Sequence, residues 1–274
     1  MRRSKTTSRR SSASWRSTTV PKPWSTPCAR AGSRWTRIKG AQLWRAASAA
    51  VLDVLFPRKC VQCARPGEWM CAPCAAEVHW MTPPLCECCG REVGAGDRCQ
   101  DCARERPAIN GIRAVSRYEG AVREAIHHLK YNGQRALAEP LAELLQRPAA
   151  GVPPADAIVP LPLHPSRERA RGYNQSALLA RELGRRLDVP VLAAARRIRE
   201  TRDQIGLNRR ERQANVRGAF ACSKPEAVAG KHLLLVDDVC TTGSTLLACA
   251  EPLLKAKAAS VWGLVVARQD YERT

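Results

Sequence analysis

Residues 232–245 read His-Leu-Leu-Leu-Val-Asp-Asp-Val-Cys-Thr-Thr-Gly-Ser-Thr, and no other stretch limits the fold as tightly. Leu233 to Val236 are apolar without alternation, as a strand buried on both faces requires. Such a strand belongs to a largely parallel sheet with helices on each side. Asp237 and Asp238 follow where the strand is expected to end. Thr241, Thr242, Gly243, Ser244 and Thr245 then make a loop of small and hydroxyl residues, and Leu246 to Lys257 read as a helix. Ligands of open α/β sheets sit at the carboxyl ends of strands, beside helix N-termini. A loop of this kind wraps a phosphate with backbone N–H groups and hydroxyls, and the helix dipole favours the negative charge. Adjacent carboxylates repel a phosphate and suit sugar hydroxyls or a metal instead. A ribose 5-phosphate carries both features side by side. Two other readings exist. A Walker B strand lacks its partner, because no G-x-x-x-x-G-K-[ST] occurs in the chain. A buried strand followed by a Ser/Thr-capped helix assigns no ligand at all.

Eight of the thirteen cysteines form four Cys-x-x-Cys pairs: Cys60/Cys63, Cys71/Cys74, Cys86/Cys89 and Cys99/Cys102. Seven residues separate the first two pairs and nine the last two. Each such turn sets two thiolates on one side of a knuckle, and two knuckles complete a tetrahedron around Zn²⁺. A redox dithiol would stand alone at a helix start rather than recur four times. The N-terminus has charge but no apolar h-region of a secretory signal, which turns the cysteines from disulfides towards metal. One or two structural zinc ions are expected, with pairing in chain order and interleaved pairing as the alternative. Cys88 is a spare thiol in the third knuckle. Cys28, Cys222, Cys240 and Cys249 have no pairing partner in the pattern.

Net charge is +20, of which residues 1–39 hold eleven Lys/Arg and no acid, leaving +9 on the remainder. A basic balance of this kind favours polyanions, either nucleic acid or phosphorylated ligands. No apolar run approaches the roughly 20 residues of a membrane span, and a cytoplasmic location is expected. Residues 1–40, rich in Ser, Thr and Arg and broken by Pro21, Pro23 and Pro27, are expected to be a disordered basic tail. Residues 41–106 should hold a short helix over 41–55 and the cysteine module.

From residue 107 to 274 strands and helices alternate. Strands are expected over 112–118, 156–161, 194–199, 218–222, 233–236 and 260–267. Helices are expected over 121–131, 136–146 and 176–187. The segment from Thr201 to Arg212 is polar and basic and reads as a mobile loop. Arg167, Arg169 and Arg171 follow the turn after Leu161, and Arg167 and Arg171 would share one face of a helix. On charge alone they are a solvated basic turn; guanidinium forks also suit a pyrophosphate.

The stretch 232–245 resembles the phosphoribosyl-pyrophosphate (PRPP) loop of type I phosphoribosyltransferases. Three further features resemble the ComF/GntX group within that fold. They are Arg167-x-x-x-Arg171-Gly172-x-Asn174-Gln175; Thr201-x-x-Gln204-x-x-Leu207 with Arg212-x-x-Asn215 and Phe220; and Lys130-Tyr131 with the cysteine knuckles ahead of the domain. The resemblance covers about residues 52–268 and leaves out the basic tail. It implies an α/β fold of type I phosphoribosyltransferase-like topology, with a mostly parallel sheet, helices on both faces and a small zinc-binding module in front. It implies that Asp237 and Asp238 meet the ribose hydroxyls as the catalytic acids. The 5-phosphate falls to the loop that starts at Cys240 and runs through Thr241, Thr242, Gly243, Ser244 and Thr245. Leu161, Arg167, Arg171, Asn174 and Gln175 would lie on the pyrophosphate side. Thr201, Gln204, Arg212 and Asn215 would belong to the mobile loop. Mg²⁺ would accompany PRPP.

Two functions are then expected to compete. One is a phosphoribosyltransferase acting on PRPP, with no sequence feature naming the acceptor. The other is a binding protein of natural transformation that handles single-stranded DNA beside the uptake machinery and keeps the pocket for ligand sensing.

Overall fold

The computed structural model describes residues 58–147, 152–202 and 206–269. The tail expected over 1–40, the helix expected over 41–55 and Gln204 lie outside them. The strands are β1 (Gly111–Arg117), β2 (Ala157–Pro160), β3 (Ala195–Arg197), β4 (Phe220–Cys222), β5 (His232–Cys240) and β6 (Ser260–Arg268). The helices are α1 (Ala72–Ala76), α2 (Gln100–Arg104), α3 (Gly120–Tyr131), α4 (Ala138–Gln146), α5 (Pro165–Arg171), α6 (Gln175–Leu187), α7 (Arg209–Val216), α8 (Pro225–Val228) and α9 (Ser244–Lys255). β1, β6, β5 and β2 form one sheet in that order, parallel throughout, while β3 and β4 pair antiparallel in a separate ribbon.

The unbroken apolar run of β5 is explained by burial on both faces. Leu234 and Val236 pack with Leu129, Leu141 and Leu179 of α3, α4 and α6. Leu233 and Leu235 pack with Leu246, Ala250 and Leu253 of α9. Burying each such side chain stabilises the fold by about 1.5–3 kcal/mol, so a polar residue at any of these four positions is disfavoured. β5 is longer than expected and ends at Cys240, with Asp237 opposite Val265 and Cys240 opposite Arg268. Backbone pairing with β6 continues beneath the two acids, so they leave the sheet from within its last turn rather than from a loop.

Both sheet edges are covered, which blocks pairing with foreign strands. At β2, Ile158 N–H donates to Pro190 O (2.9 Å) and Leu192 N–H to Ile158 O (2.8 Å). At β1, Met81 N–H donates to Val115 O (3.0 Å) and Arg117 N–H to His79 O (2.8 Å). The cysteine-rich segment therefore lies along β1, within one compact unit, Val51–Thr274.

Part of the segment expected as a loop over 201–212 is helical, because α7 starts at Arg209. Asn208 and Glu211 form a capping box, each side chain bonding the other's backbone N–H. Only Arg212 and Val216 of this helix are buried. Its polar composition hides so narrow a stripe from a periodicity argument. The arginines after Leu161 lie on a helix too, α5, with Pro165 at its first position and Gly172 in the left-handed conformation closing it. Among the described residues no helix is long and apolar enough to cross a membrane.

Candidate functional site

β5 and β6 deliver their carboxyl ends to a cleft of about 530 Å³. Asp237, Asp238, Cys240, Thr241, Gly243, Ser244 and Thr245 line it, together with Leu161, Arg167, Gln175 and Arg212. Tyr131, Leu163, Arg197, Gly206 and Gln269 complete much of the wall.

The two acids are buried, at 8% and 3% exposure, and do different things. Asp237 Oδ1 accepts a hydrogen bond from Ser176 Oγ at 2.7 Å. Its burial, with the Asp238 charge beside it, pushes its pKa up to about 7. Near neutral pH the group is therefore present in both its acid and its carboxylate form. Asp238 Oδ1 is paired with Lys130 Nζ at 2.8 Å. Burial works to lower the lysine pKa, but the Asp238 carboxylate outweighs it and the pKa ends above the usual lysine range. Asp238 Oδ2 is buried and has no hydrogen-bond partner. A buried acceptor without a donor is costly, so this atom is built for a ligand hydroxyl or a hard cation.

The loop after β5 turns through Gly243, whose φ of +80° favours glycine and places it as the cap of α9. A Cβ there would also lie 3.0 Å from Ile112 Cδ1. Thr242 Oγ1 and Ser244 Oγ lie 2.8 Å apart and the Thr242 hydroxyl accepts from Ser244 N–H at 3.4 Å. Thr241 is held on both sides: its hydroxyl accepts from Arg212 Nη1 (2.8 Å) and its carbonyl from Arg268 Nη2 (3.3 Å). Hydroxyls and N–H groups thus gather at the N-terminus of a three-turn helix, which favours an anion.

Other expected residues act one step back from the cleft. Asn174 caps α6 through its Oδ1, which accepts from Ser176 N–H (2.9 Å), and its Nδ2 donates to Leu161 O (3.0 Å). It therefore sets both Ser176, the partner of Asp237, and the turn after β2. Arg171 donates to Gln175 Oε1, and its guanidinium lies 5.6 Å from the Tyr131 ring centre. Thr201 is buried between two arginines: its carbonyl accepts from Arg167 Nη2 (3.0 Å) and its hydroxyl from Arg197 Nη2. Asn215 bonds the backbone of Arg202 in both directions, at 2.9 and 3.1 Å.

Three residues that line or brace the cleft escaped the sequence reasoning: Ser176, Arg197 and Arg268. Arg197 stacks on Phe220, with 5.3 Å from guanidinium carbon to ring centre, and faces the cleft from the β3–β4 ribbon. Nothing in a three-residue strand marks it. Ser176 was legible only as a helix start.

The eight knuckle cysteines gather as two sets, Cys60/Cys63/Cys71/Cys74 and Cys86/Cys89/Cys99/Cys102, with the Sγ atoms of each set within 4.8 Å of one another. Pairing is in chain order. Cys63 and Cys71 Sγ are 3.6 Å apart and Cys89 and Cys99 Sγ 3.7 Å. A tetrahedron with metal–sulfur bonds of about 2.3 Å has edges of about 3.8 Å, so the spacing fits Zn²⁺. Burial acts to raise the pKa of Cys60 and Cys86, but backbone N–H groups in each knuckle outweigh it and bring both to about 6. One thiolate in each set is thus ready for metal at neutral pH. Cys88 belongs to neither set and is buried.

A family model described as a double zinc ribbon domain matches residues 51–103, and one described as a phosphoribosyl transferase domain matches residues 174–272. The DNA utilization protein YhgH of Salmonella typhi is 35% identical over 220 residues, covering 75% of this chain and 94% of that one. Competence protein F of Haemophilus influenzae is 32% identical over 227 residues, covering 76% and 97%. Competence protein ComFC of Bacillus subtilis is 27% identical over 213 residues, covering 74% and 86%. Similarity of this degree over three quarters of this chain takes in nearly the whole of the first two relatives, so the chain belongs to the ComF/YhgH family, with a double zinc ribbon ahead of a phosphoribosyltransferase-type α/β domain.

Proposed function

We propose that the cleft binds a ribose 5-phosphate ester, PRPP first among them, and that the protein acts in the cytoplasmic handling of DNA taken up by the cell. The observation that carries the ligand reading is Asp238 Oδ2, a buried oxygen without a partner at the head of a hydroxyl loop that caps a helix. Asp237 and Asp238 hold the ribose hydroxyls. Residues 241–245 take the 5-phosphate through N–H and hydroxyl donors. Arg167 serves the pyrophosphate directly and Arg171 supports it by holding Gln175, with Arg197 as a further guanidinium on the cleft wall. The carboxylate oxygens are hard donors of the kind Mg²⁺ prefers, and Asp238 Oδ2 with Asp237 would hold it. When bound, Mg²⁺ supplies neutralisation of the leaving pyrophosphate.

If transfer occurs, the anomeric C–O bond to pyrophosphate breaks and a bond to the acceptor forms in its place. The chain has little covalent chemistry to perform. Its contribution is positioning and a fixed electrostatic field. Pyrophosphate exchange tests this: labelled pyrophosphate incubated with PRPP, Mg²⁺, protein and the common bases should enter PRPP with at least one base. Wild-type protein that binds PRPP but exchanges nothing contradicts the transferase reading and leaves a ligand-sensing protein.

The two sulfur clusters would each hold one structural Zn²⁺ through four thiolates, with no position left open for catalysis.

A second reading, single-stranded DNA binding by the folded body, is favoured by Tyr131. It is 65% exposed at the cleft mouth, with Arg171 over its ring and His127 at 5.0 Å, an arrangement on which a base can stack. Fluorescence anisotropy with an oligonucleotide should show binding that weakens as salt rises, because phosphate contacts release counterions. A chain of residues 51–274 keeps the basic tail out of the measurement. Tyr131→Ala should weaken binding about tenfold, within the range of one lost stacking contact. No binding at low salt contradicts the role for the folded body.

A further inference from the structure

The second cysteine set and the phosphate loop are joined by one buried side chain. Arg268, the last residue of β6, is 2% exposed. Its Nη1 donates to the carbonyl of Cys89, a member of the second set, at 2.7 Å. Its Nη2 donates to the carbonyl of Thr241 at 3.3 Å, and Nη1 lies 3.7 Å from Cys240 Sγ. A guanidinium is a rigid planar fork, so its two arms fix the distance between these backbones.

A second connection runs in parallel. Asp101 lies on α2, between Cys99 and Cys102, and Arg209 at the start of α7 pairs with it. One turn along α7, Arg212 is 2% exposed and reaches the Thr241 hydroxyl. Thr241 is therefore held at its carbonyl and at its hydroxyl by two arginines, each tied directly or through its helix to the second cysteine set, at its Cys86/Cys89 knuckle or its Cys99/Cys102 knuckle. The Cys86/Cys89 knuckle has no room to slide on the sheet. Cys88 O accepts from Ile112 N–H at 2.8 Å, and a Cβ on Gly90 would lie 2.2 Å from Ile112 O. The first cysteine set packs elsewhere, on Ala121 at the start of α3.

We propose that Arg268 is a positioning residue that couples the second cysteine set to the phosphate loop, so that metal held there raises the affinity of the loop for a phosphate monoester. The inference rests on the ribose 5-phosphate reading above. Partners hydrogen-bonded around a metal ligand and the ligand itself constrain one another's position, and Arg268 carries that constraint from Cys89 to Thr241. Coupling between two sites is reciprocal, so phosphate in the loop must also tighten metal at the second set. Cys89, Arg268 and Thr241 are the shortest route, and both ends are backbone carbonyls, which a change of side chain cannot easily replace.

The experiment uses the full chain loaded with Co²⁺ in place of Zn²⁺, and ribose 5-phosphate as the probe. A chelator chase should show two phases of metal release. Ribose 5-phosphate should slow one of them by about five- to tenfold, the range of ordinary coupling between sites, and leave the other unchanged. Ribose 5-phosphate should also shift the Co²⁺ absorption bands. In Arg268→Met the metal content should stay at two per chain while the slowing and the band shift shrink to the small part that the Arg212 connection can carry. Arg268→Lys keeps the charge but not the fork and should lose most of both. A residue that only packs the core would lower the melting temperature and leave the spectral response in place, which overturns the proposal. If Arg268→Met does not fold, the chase on the unsubstituted protein decides alone. Neither release phase responding to bound ribose 5-phosphate overturns the coupling. Failure of the unsubstituted protein to bind ribose 5-phosphate at all overturns the ligand reading and the coupling with it.

Discussion

Cys86→Ser is expected to cost the protein more than about 4 kcal/mol, the range reached when a structural metal is lost. Cys86 is fully buried, and three further thiols lie around it. Serine offers no thiolate, so the remaining three cannot close the tetrahedron. The knuckle also carries Cys88 O, which satisfies the N–H of Ile112, and Glu87 O, which accepts from Arg113 Nη1 at 3.0 Å. Arg113 is buried at 7% exposure, and it would keep Ile112 O (2.9 Å) and the Trp262 ring but lose one acceptor for its buried charge. The loss should therefore reach β1 and not stay within the ribbon. Thermal unfolding monitored by circular dichroism checks this, alongside metal analysis. The unsubstituted protein should carry two zinc ions and the variant one. A variant that keeps two ions and its melting temperature contradicts the assignment of Cys86 as a ligand.

Asp237→Asn combined with Asp238→Asn is the second large effect. The amides keep the size of the carboxylates and remove the Asp238 charge together with the ionised share of Asp237. Two charge-assisted hydrogen bonds to ribose hydroxyls should be lost, a penalty of about 3 kcal/mol or about 100-fold in affinity. Lys130 also loses its counter-ion. Its side chain is 18% exposed, so water softens the stability cost to about 1–2 kcal/mol. Calorimetry with ribose 5-phosphate reads the affinity, and the melting temperature reports the cost to the fold. Equal affinity in both proteins removes the acids from the sugar.

Much of this was readable before the structure because burial leaves a mark on composition. Leu233 to Val236 had to be apolar at every position, since each alternate residue meets a different helix layer. The cysteine spacing was readable because four thiolates around one ion tolerate few loop lengths. The turn from Thr241 to Thr245 was readable because small and hydroxyl residues cluster around a glycine just ahead of an apolar helix. What escaped was whatever depends on partners distant in the chain. Arg268 bonds the carbonyl of Cys89, 179 residues earlier, and a backbone carbonyl has no sequence signature. Arg197 stands in a three-residue strand whose pairing with β4 comes from topology and not from periodicity. α7 carried its capping signal, Asn208 with Glu211, but only two buried residues, too few to form a stripe. The end of β5 was misplaced because two acids look like a strand terminus, yet pairing with β6 runs on beneath them.

In the proposed binding mode the loop after β5 holds the phosphate of a ribose 5-phosphate while the paired acids hold its sugar. Backbone amide resonances followed by NMR during titration test it most directly. Ribose 5-phosphate should move the amides of Thr242, Gly243, Ser244 and Thr245 together with those of Asp237 and Asp238. Inorganic phosphate should move the loop amides and leave the acids nearly unshifted. Ribose 5-phosphate that binds while the amides of residues 241–245 stay in place would contradict the account.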